Sequence, residues 1–472
     1  MKMMPLSREI RQPLVDQVVM VVEQAVEQLE LRDGDRVPSI RHAAQQLEVS
    51  RNVVVEAYDR LVARGRLQAR PGSGFFIRAR QPAIGQPEPL PHESQDIDAV
   101  SLLRSGMQTA GTMHRPGWGE LPADWLDNDG LRRALLAAAR DATGEPIQYG
   151  HPAGLPGLRM QLHLTLLQAG IKADPGQIIT TQGASQALDI IARLFLQPGD
   201  TVLVDDPGYY TLFAHLRTLG VRIVGIPRGA QRLDTDLLEQ RIEQHRPVAY
   251  FINAVLHNPT GTSLSPACAH RLLAIAERND LLLVEDDVYG ELHPGEPMRL
   301  AALGELGQVI YVSSFSKTLS SSLRVGYLAA SPEVARRALD MKLLSSLATP
   351  CITERAVLFM LENGQFRRHL SGVRKRLARV RRRVVQRLEE LGLRVGDDGI
   401  GGLFVWAELP GGVDAAELTR IAAEDGVMLA PGHVFRPGGE HGSYLRFNIA
   451  HTDHAAVYEV LGGAIRRLST PS

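Results

Sequence analysis

The sequence predicts an α/β protein in two parts: a small winged helix-turn-helix, and a large domain whose mostly parallel sheet is sandwiched by helices. Three observations predict it. Residues 14–78 read as three helices followed by a two-strand hairpin, and from about Ser101 helical and apolar β-like runs alternate. Between them lies a proline-rich stretch with no aromatic residue, which cannot build a core. A chain of 472 residues also exceeds what one hydrophobic core normally serves. The expected boundaries are 1–80 for the small domain, 81–100 for a linker and 101–472 for the large domain, with a smaller C-terminal subdomain from about 366.

In the small domain, Leu14, Val18, Val22, Ala25 and Leu29 recur at helical spacing, which makes Leu14–Leu31 an amphipathic helix. Asp33-Gly34-Asp35 stops it. Ser39 is placed to cap a short helix through Leu47, and Ser50 to cap a third over Arg51–Arg64. Leu67–Ala69 and Phe75–Ile77 then form the hairpin, hinged by Pro71-Gly72-Ser73-Gly74. Residues 31–80 carry ten arginines against five acids. A basic surface with Ser50-Arg51-Asn52 at a helix start suits phosphate positioning and major-groove reading of DNA.

Ala79–Ile97, with Pro82, Pro87, Pro89 and Pro91, is expected to be a semi-extended tether. In the large domain the expected strands include Gln177–Thr180, Thr201–Val204, Val248–Ile252, Leu281–Val284, Val309–Ser313 and Val325–Ala329. Polar, glycine-containing loops follow all but the last. Ligands in such sheets sit at the carboxyl ends of strands, so these loops should converge on one site.

The stretch Tyr311–Tyr327 carries the chemistry. Lys317 has Ser314 and Ser316 just before it and Arg324 after it. A lysine that must bond an aldehyde needs a depressed pKa, which removal from water and a nearby guanidinium supply. The arginine and the hydroxyls can hold a phosphate. An aldehyde carrying a phosphate is pyridoxal 5'-phosphate. The acids Glu285-Asp286-Asp287 directly follow the apolar run Leu281–Val284, where a bare charge is costly unless a protonated pyridine nitrogen meets one, Asp286. Tyr289 can donate to the ring oxygen, Asn258 can do the same, and Tyr209 offers a face for stacking. Thr181–Gln186 leads from a strand into a helix whose free amides, at Ala184 and Ser185, suit a phosphate.

Two resemblances follow from these residues. Gly34–Arg41, Leu47–Val53 and Gly72–Phe76 resemble the DNA-binding domain of the GntR family, over nearly all of residues 14–78. The resemblance implies DNA contacts from Arg41, Arg51 and Gly72 or Gly74, with base preference at Asn52 open. From about Ser101 onward the motifs resemble fold-type I enzymes of the aspartate aminotransferase superfamily, which use pyridoxal 5'-phosphate. That resemblance implies the cofactor's aldimine on Lys317, its pyridine nitrogen on Asp286, its ring oxygen on Asn258 and Tyr289, and stacking by Tyr209. It gives the phosphate to Ala184, Ser185, Ser314, Ser316 and Arg324, with Tyr149 reaching a neighbouring subunit's phosphate and Arg446 binding a substrate carboxylate. Ala184 replaces a frequent Ser or Thr, so the cup loses one hydroxyl. Joined, the two parts resemble the MocR subfamily of bacterial regulators. This implies a homodimeric transcriptional regulator whose affinity for operator DNA responds when an amino compound displaces Lys317 as an external aldimine. The alternative is a working aminotransferase with an accessory DNA-binding module.

Composition excludes other classes. Two cysteines, Cys268 and Cys351, give neither a disulfide framework nor a metal spacing, and no apolar run reaches about 18 residues. With no basic-then-apolar leader, the cytoplasm is expected and a membrane role is not. Residues 366–383 hold nine basic residues and no acid, open to reading as a second DNA contact or, preferably, a solvated helix face. His451 and His454 are expected on the surface.

Overall fold

The computed structural model describes residues 6, 12–27, 31–78, 97–108, 113–141, 149–229, 233–396 and 401–469. The expected tether at 79–97 lies almost wholly outside them. The chain divides into two compact units, Met1–Glu93 and Ser94–Ser472.

The first unit contains helices α1 (Leu14–Glu27), α2 (Ile40–Gln46) and α3 (Arg51–Ala63), then strands β1 (Leu67–Arg70) and β2 (Gly74–Ile77). Ser39 and Ser50 cap α2 and α3, their hydroxyls accepting from the amides of His42 and Val53. Val18, Val22, Ala43, Val54, Tyr58, Leu61 and Leu67 meet in its core. The Tyr58 hydroxyl donates to the Pro38 carbonyl at 2.9 Å and its ring packs edge-on against Phe75, which ties α3 to both the α2 turn and the hairpin. β1 and β2 pair antiparallel, with Arg70 opposite Gly74. The turn between them needs left-handed backbone at Gly72 (φ +73°) and Gly74 (φ +101°).

In the second unit, strands β3 (Ile178–Thr181), β4 (Thr201–Asp206), β5 (Arg222–Pro227), β6 (Ala249–Ile252), β7 (Leu282–Asp286), β8 (Val309–Ser314) and β9 (Gly326–Ala329) form one sheet, ordered β3-β9-β8-β7-β6-β4-β5. The strands from β8 to β5 are parallel, and β9 runs against both of its neighbours. Apolar side chains leave both faces: Leu203, Tyr250, Leu283 and Tyr311 enter one core, Val202, Ala249, Val284 and Ile310 the other. That two-sided burial is why these strands read as apolar runs rather than as alternating patterns. A second, antiparallel sheet of β10 (Arg394–Val395), β11 (Phe404–Glu408), β12 (Ala430–Pro431) and β13 (Tyr444–Asn448) is ordered β10-β11-β13-β12.

The arginine-rich stretch is one helix, Gln365–Glu390, whose Phe366, Leu370, Val373, Leu377, Val380 and Val384 are buried. Its cations are partly spent inside the fold. Arg381 is buried and donates to the Gly401 and Phe404 carbonyls, Arg374 pairs with Glu291, and Arg376 lies over the Trp125 ring. His454 is exposed as expected, but His451 is only partly exposed. Its Nε2 lies 3.1 Å from the Glu120 carbonyl, and burial pushes its pKa down to about 4. Among the described residues no helix is long and apolar enough to cross a membrane, and no His, Cys, Asp and Glu cluster could hold a metal ion.

Candidate functional site

The polar ends of β3, β6, β7 and β8 border one cavity, lined among others by Ala184, Ser185, Tyr209, Asn258, Asp286, Tyr289, Ser314, Ser316, Lys317 and Arg324. β8 and β9 pair with Ser314 opposite Gly326, so the loop carrying Lys317 and Arg324 leaves and re-enters the sheet at one end. Ser314 Oγ accepts from the Ser316 amide at 3.1 Å and lies 2.9 Å from Ser316 Oγ. Arg324 adopts a left-handed backbone (φ 50°), uncommon for a residue with a Cβ. Its Nη1 donates to Ser316 Oγ at 3.4 Å and its Nη2 to the Gln182 carbonyl at 2.9 Å.

This places a guanidinium, two hydroxyls and the first amides of the helix Ala184–Phe195 around one small volume. Two glycines permit the approach. A Cβ on Gly183 (φ +78°) would fall 2.5 Å from Arg324 Nη2, and one on Gly326 would fall 2.6 Å from the Gly183 carbonyl carbon.

Three consecutive acids, Glu285 and Asp286 at the end of β7 and Asp287 just after it, differ in their surroundings. Glu285 accepts from the Leu300 and Ala301 amides, and burial pushes its pKa up to about 8. Asp287 Oδ2 accepts from Arg299 and from the Tyr311 hydroxyl. Asp286 alone faces the cavity, and its buried Oδ1 has no hydrogen-bond partner. Burial, followed by repulsion from Asp287, pushes the Asp286 pKa up to about 7, while the Val288 amide and the Lys317 charge pull it back. A carboxylate with one buried oxygen unfilled at the cavity fits a cationic ring nitrogen as the missing partner.

Lys317 Nζ lies 3.9 Å from Glu120 Oε1. Burial pulls the Lys317 pKa down, as do the charges of Arg446 and Arg324, against the pull of Glu120 and Asp286. Asn258 is held by a short network: its amide donates to Asn253 Oδ1 at 2.7 Å, and Asn253 Nδ2 donates to the Asp286 carbonyl at 2.8 Å. Arg446, on β13, is 1% exposed. It donates to Asn258 Oδ1 at 2.9 Å and to the Gly117 carbonyl, and it lies between the Phe404 and Phe435 rings. Its Nε has no partner, and no described carboxylate pairs with it.

Of the residues singled out in the large unit, Arg446 lines an adjoining cavity that shares Tyr209, Asn258, Tyr289, Lys317 and Arg324 with this one, and Tyr149 reaches neither; it stands 82% exposed on the chain surface. Glu120 and Asn253 line the cavity and escape sequence reading. Asn253 carried one usable signal, an amide directly after the buried run Ala249–Ile252. Glu120 carried none, being a lone acid far from every other site residue in sequence. In the first unit Arg41, Ser50, Arg51 and Asn52 are all exposed, and neither Arg41 nor Arg51 makes an ion pair among the described residues.

A winged helix-turn-helix unit is thus joined to a unit with a mixed sheet whose strand ends carry a lysine, a lone carboxylate and an anion cup. The family model for aminotransferase class I and II matches residues 118–463, and that for bacterial regulatory proteins of the gntR family matches residues 14–77. The chain belongs to the MocR subfamily of GntR-type transcriptional regulators, in which the two are fused. It is 31% identical to the HTH-type transcriptional regulator TauR of Rhodobacter capsulatus, over 93% of each chain. It is 33% identical to the 2-aminoadipate transaminase of Thermus thermophilus, over 74% of this chain and 88% of that one. Among solved structures, LysN, an alpha-aminoadipate aminotransferase of Thermus thermophilus complexed with N-(5'-phosphopyridoxyl)-L-leucine, superposes with a TM-score of 0.71. That match has 29% identity and covers 77% of this chain and 95% of that one.

Proposed function

We propose that this protein is a transcriptional regulator that binds operator DNA through its first unit and reads an amino compound through pyridoxal 5'-phosphate held in its second. The observation that carries the cofactor is Asp286, whose buried Oδ1 lacks a partner in the cavity that Lys317 also lines. When bound, the cofactor supplies an aldehyde for amines and an electron-withdrawing ring. The chain's own residues do the rest. Asp286 would hold the ring nitrogen, Tyr289 and Asn258 would donate to the ring oxygen, and Tyr209 would cover the ring face. Ser314, Ser316, Arg324, Ser185 and the Ala184 and Ser185 amides hold the phosphate. Lys317, its proton affinity lowered by burial, would hold the aldehyde, and an effector amine would compete with it there.

Arg446 is a buried cation without a carboxylate among the described residues, which suits the carboxylate of an amino acid effector. The surface position of Tyr149 suits a homodimer in which it reaches the neighbouring subunit's phosphate. Residues 1–80 form the reader, 81–100 the linker and 101–472 the sensor, and the setting is the cytoplasm. The gathering of Lys317, Asp286, Tyr289 and Asn258 in one cavity also supports a second reading, in which the protein turns over as an aminotransferase.

On the DNA side, Arg41 and Arg51 are exposed cations, with Arg51 and Asn52 at the start of the Ser50-capped helix and Gly72 and Gly74 shaping the wing. Replacing Arg41 or Arg51 by Ala is expected to cost about 1–3 kcal/mol of operator binding where the arginine reads a base, and to flatten the salt dependence where it holds a phosphate. Gel-shift titrations at several salt concentrations measure both. Unchanged affinity in both variants would move the DNA contact elsewhere.

A further inference from the structure

We propose that Glu120 sets the effector class: it selects an α-amino acid whose side chain ends in a second cationic group, which it meets while Arg446 holds the α-carboxylate. This rests on the reading of Lys317 and Arg446 given above, and it supplies the partner for the acid that stands beside them.

Glu120 lines both the lysine cavity and the adjoining groove of about 810 Å³, which Lys317 and Arg446 line as well. The backbone before it fixes where it stands. A Cβ on Gly119 would lie 3.9 Å from Arg446 Nη2 and 4.0 Å from Lys317 Nζ, so this segment passes close to the groups that would meet the effector's carboxylate and amine. Asn448 Nδ2 donates to the Trp118 carbonyl at 2.9 Å and to the Glu120 carbonyl at 2.7 Å, and His451 Nε2 lies 3.1 Å from the same Glu120 carbonyl. Asn448 is the last residue of β13 and is fully buried, so the segment is clamped to the end of that strand.

The two carboxylate oxygens of Glu120 are used differently. Oε2 accepts from Trp118 Nε1 at 3.3 Å and from Ser321 Oγ at 3.1 Å. Oε1 faces Lys317 Nζ at 3.9 Å, beyond hydrogen-bond length, and the side chain keeps 29% of its surface exposed. Among the described residues that line the groove Glu120 is the one acid, and each cation there has another task. Lys317 is read as holding the aldehyde, Arg324 the phosphate and Arg446 the effector carboxylate, while Arg115 Nη1 donates to the Gly106 carbonyl at 2.9 Å. Burial, with Arg446 and Arg324, lowers the proton affinity of Lys317, so the cation that Glu120 faces is one the site itself weakens.

A carboxylate held in place by its neighbours and open to a cavity stabilises an ammonium delivered by a ligand. It also works against other side chains. An apolar one would strip water from the carboxylate without replacing its hydrogen bonds, and an acidic one would meet a like charge. Because Oε1 stands 3.9 Å from Lys317 Nζ, the second cation belongs on a short side chain, as in 2,4-diaminobutyrate.

Calorimetric titration of the full-length, cofactor-loaded protein with 2,4-diaminobutyrate, norvaline and glutamate tests this. Norvaline matches the shape of the diamino acid without its second charge. Diaminobutyrate is expected to bind at least about tenfold more tightly than norvaline, and glutamate more weakly than both. Glu120→Gln, which can keep the contacts with Trp118 and Ser321, should bring diaminobutyrate and norvaline to within about twofold of each other. Norvaline binding as tightly as diaminobutyrate to the wild-type protein would overturn the inference and leave the cofactor reading standing. So would glutamate binding the tightest of the three, or a preference for diaminobutyrate that survives Glu120→Gln. If none of the three binds, the inference fails together with the reading of Lys317 and Arg446.

Discussion

Lys317→Ala is expected to abolish the covalent link between protein and cofactor. Borohydride treatment of the wild-type protein should fix a pyridoxyl group on the peptide that contains Lys317, and mass spectrometry of the variant should find none. The reason is geometric as well as chemical. Lys317 is the lysine that lines the cavity, together with Ser314, Ser316 and Asp286, and burial favours its neutral, nucleophilic form. Cofactor can still enter the variant through the phosphate cup, so absorbance alone is the weaker readout. Any amino-group transfer should fall by orders of magnitude. A variant that still yields a reduced adduct inside this cavity would remove Lys317 from its role.

Asp286→Asn is expected to act in opposite directions on the empty and the loaded protein. The folded-state pKa of Asp286 is raised to about 7, above the ordinary carboxylate value. The folded protein therefore binds more protons than the unfolded chain between those two values, and this group makes stability fall as pH rises through that window. The empty variant should lose that part of the slope, which thermal unfolding from pH 4 to pH 8 measures. In the loaded protein the ionised Asp286 gains a cationic ring nitrogen as partner, so the variant should hold the cofactor less tightly and lose half-transamination. Unchanged half-transamination would show that the acid serves the fold alone.

Much of this was legible because the strands of a sheet buried on both faces read as apolar runs. β4, β6, β7 and β8 appeared in the sequence close to where they lie, and the residues just after them are the cavity's walls. The capping serines of α2 and α3 were legible for a similar reason, since a cap is a local hydrogen bond between neighbours in the chain. β5 escaped notice because an edge strand with an exposed Arg222 carries no continuous apolar run. β10 and β12, two residues each, are defined only by their partners. Glu120 could not be found either, because what makes it a site residue is its distance to Lys317, a fact of the fold. The helix Gln365–Glu390 shows the reverse problem. Its arginines form one run in the sequence, and only packing separates buried Arg381 from the ones at the surface.

A gel-shift titration of operator DNA with a panel of amino acids, run on the wild-type protein and on Arg446→Ala, tests the central claim most directly. Wild-type protein should bind one genomic fragment well above random DNA, and at least one α-amino acid should change that affinity. Arg446→Ala should keep near-normal affinity without effector and lose the change, because the buried guanidinium at the cavity would no longer meet the effector's carboxylate. If no genomic fragment binds above random DNA while steady transamination proceeds at ordinary enzyme rates, the protein is an aminotransferase and the regulator account fails.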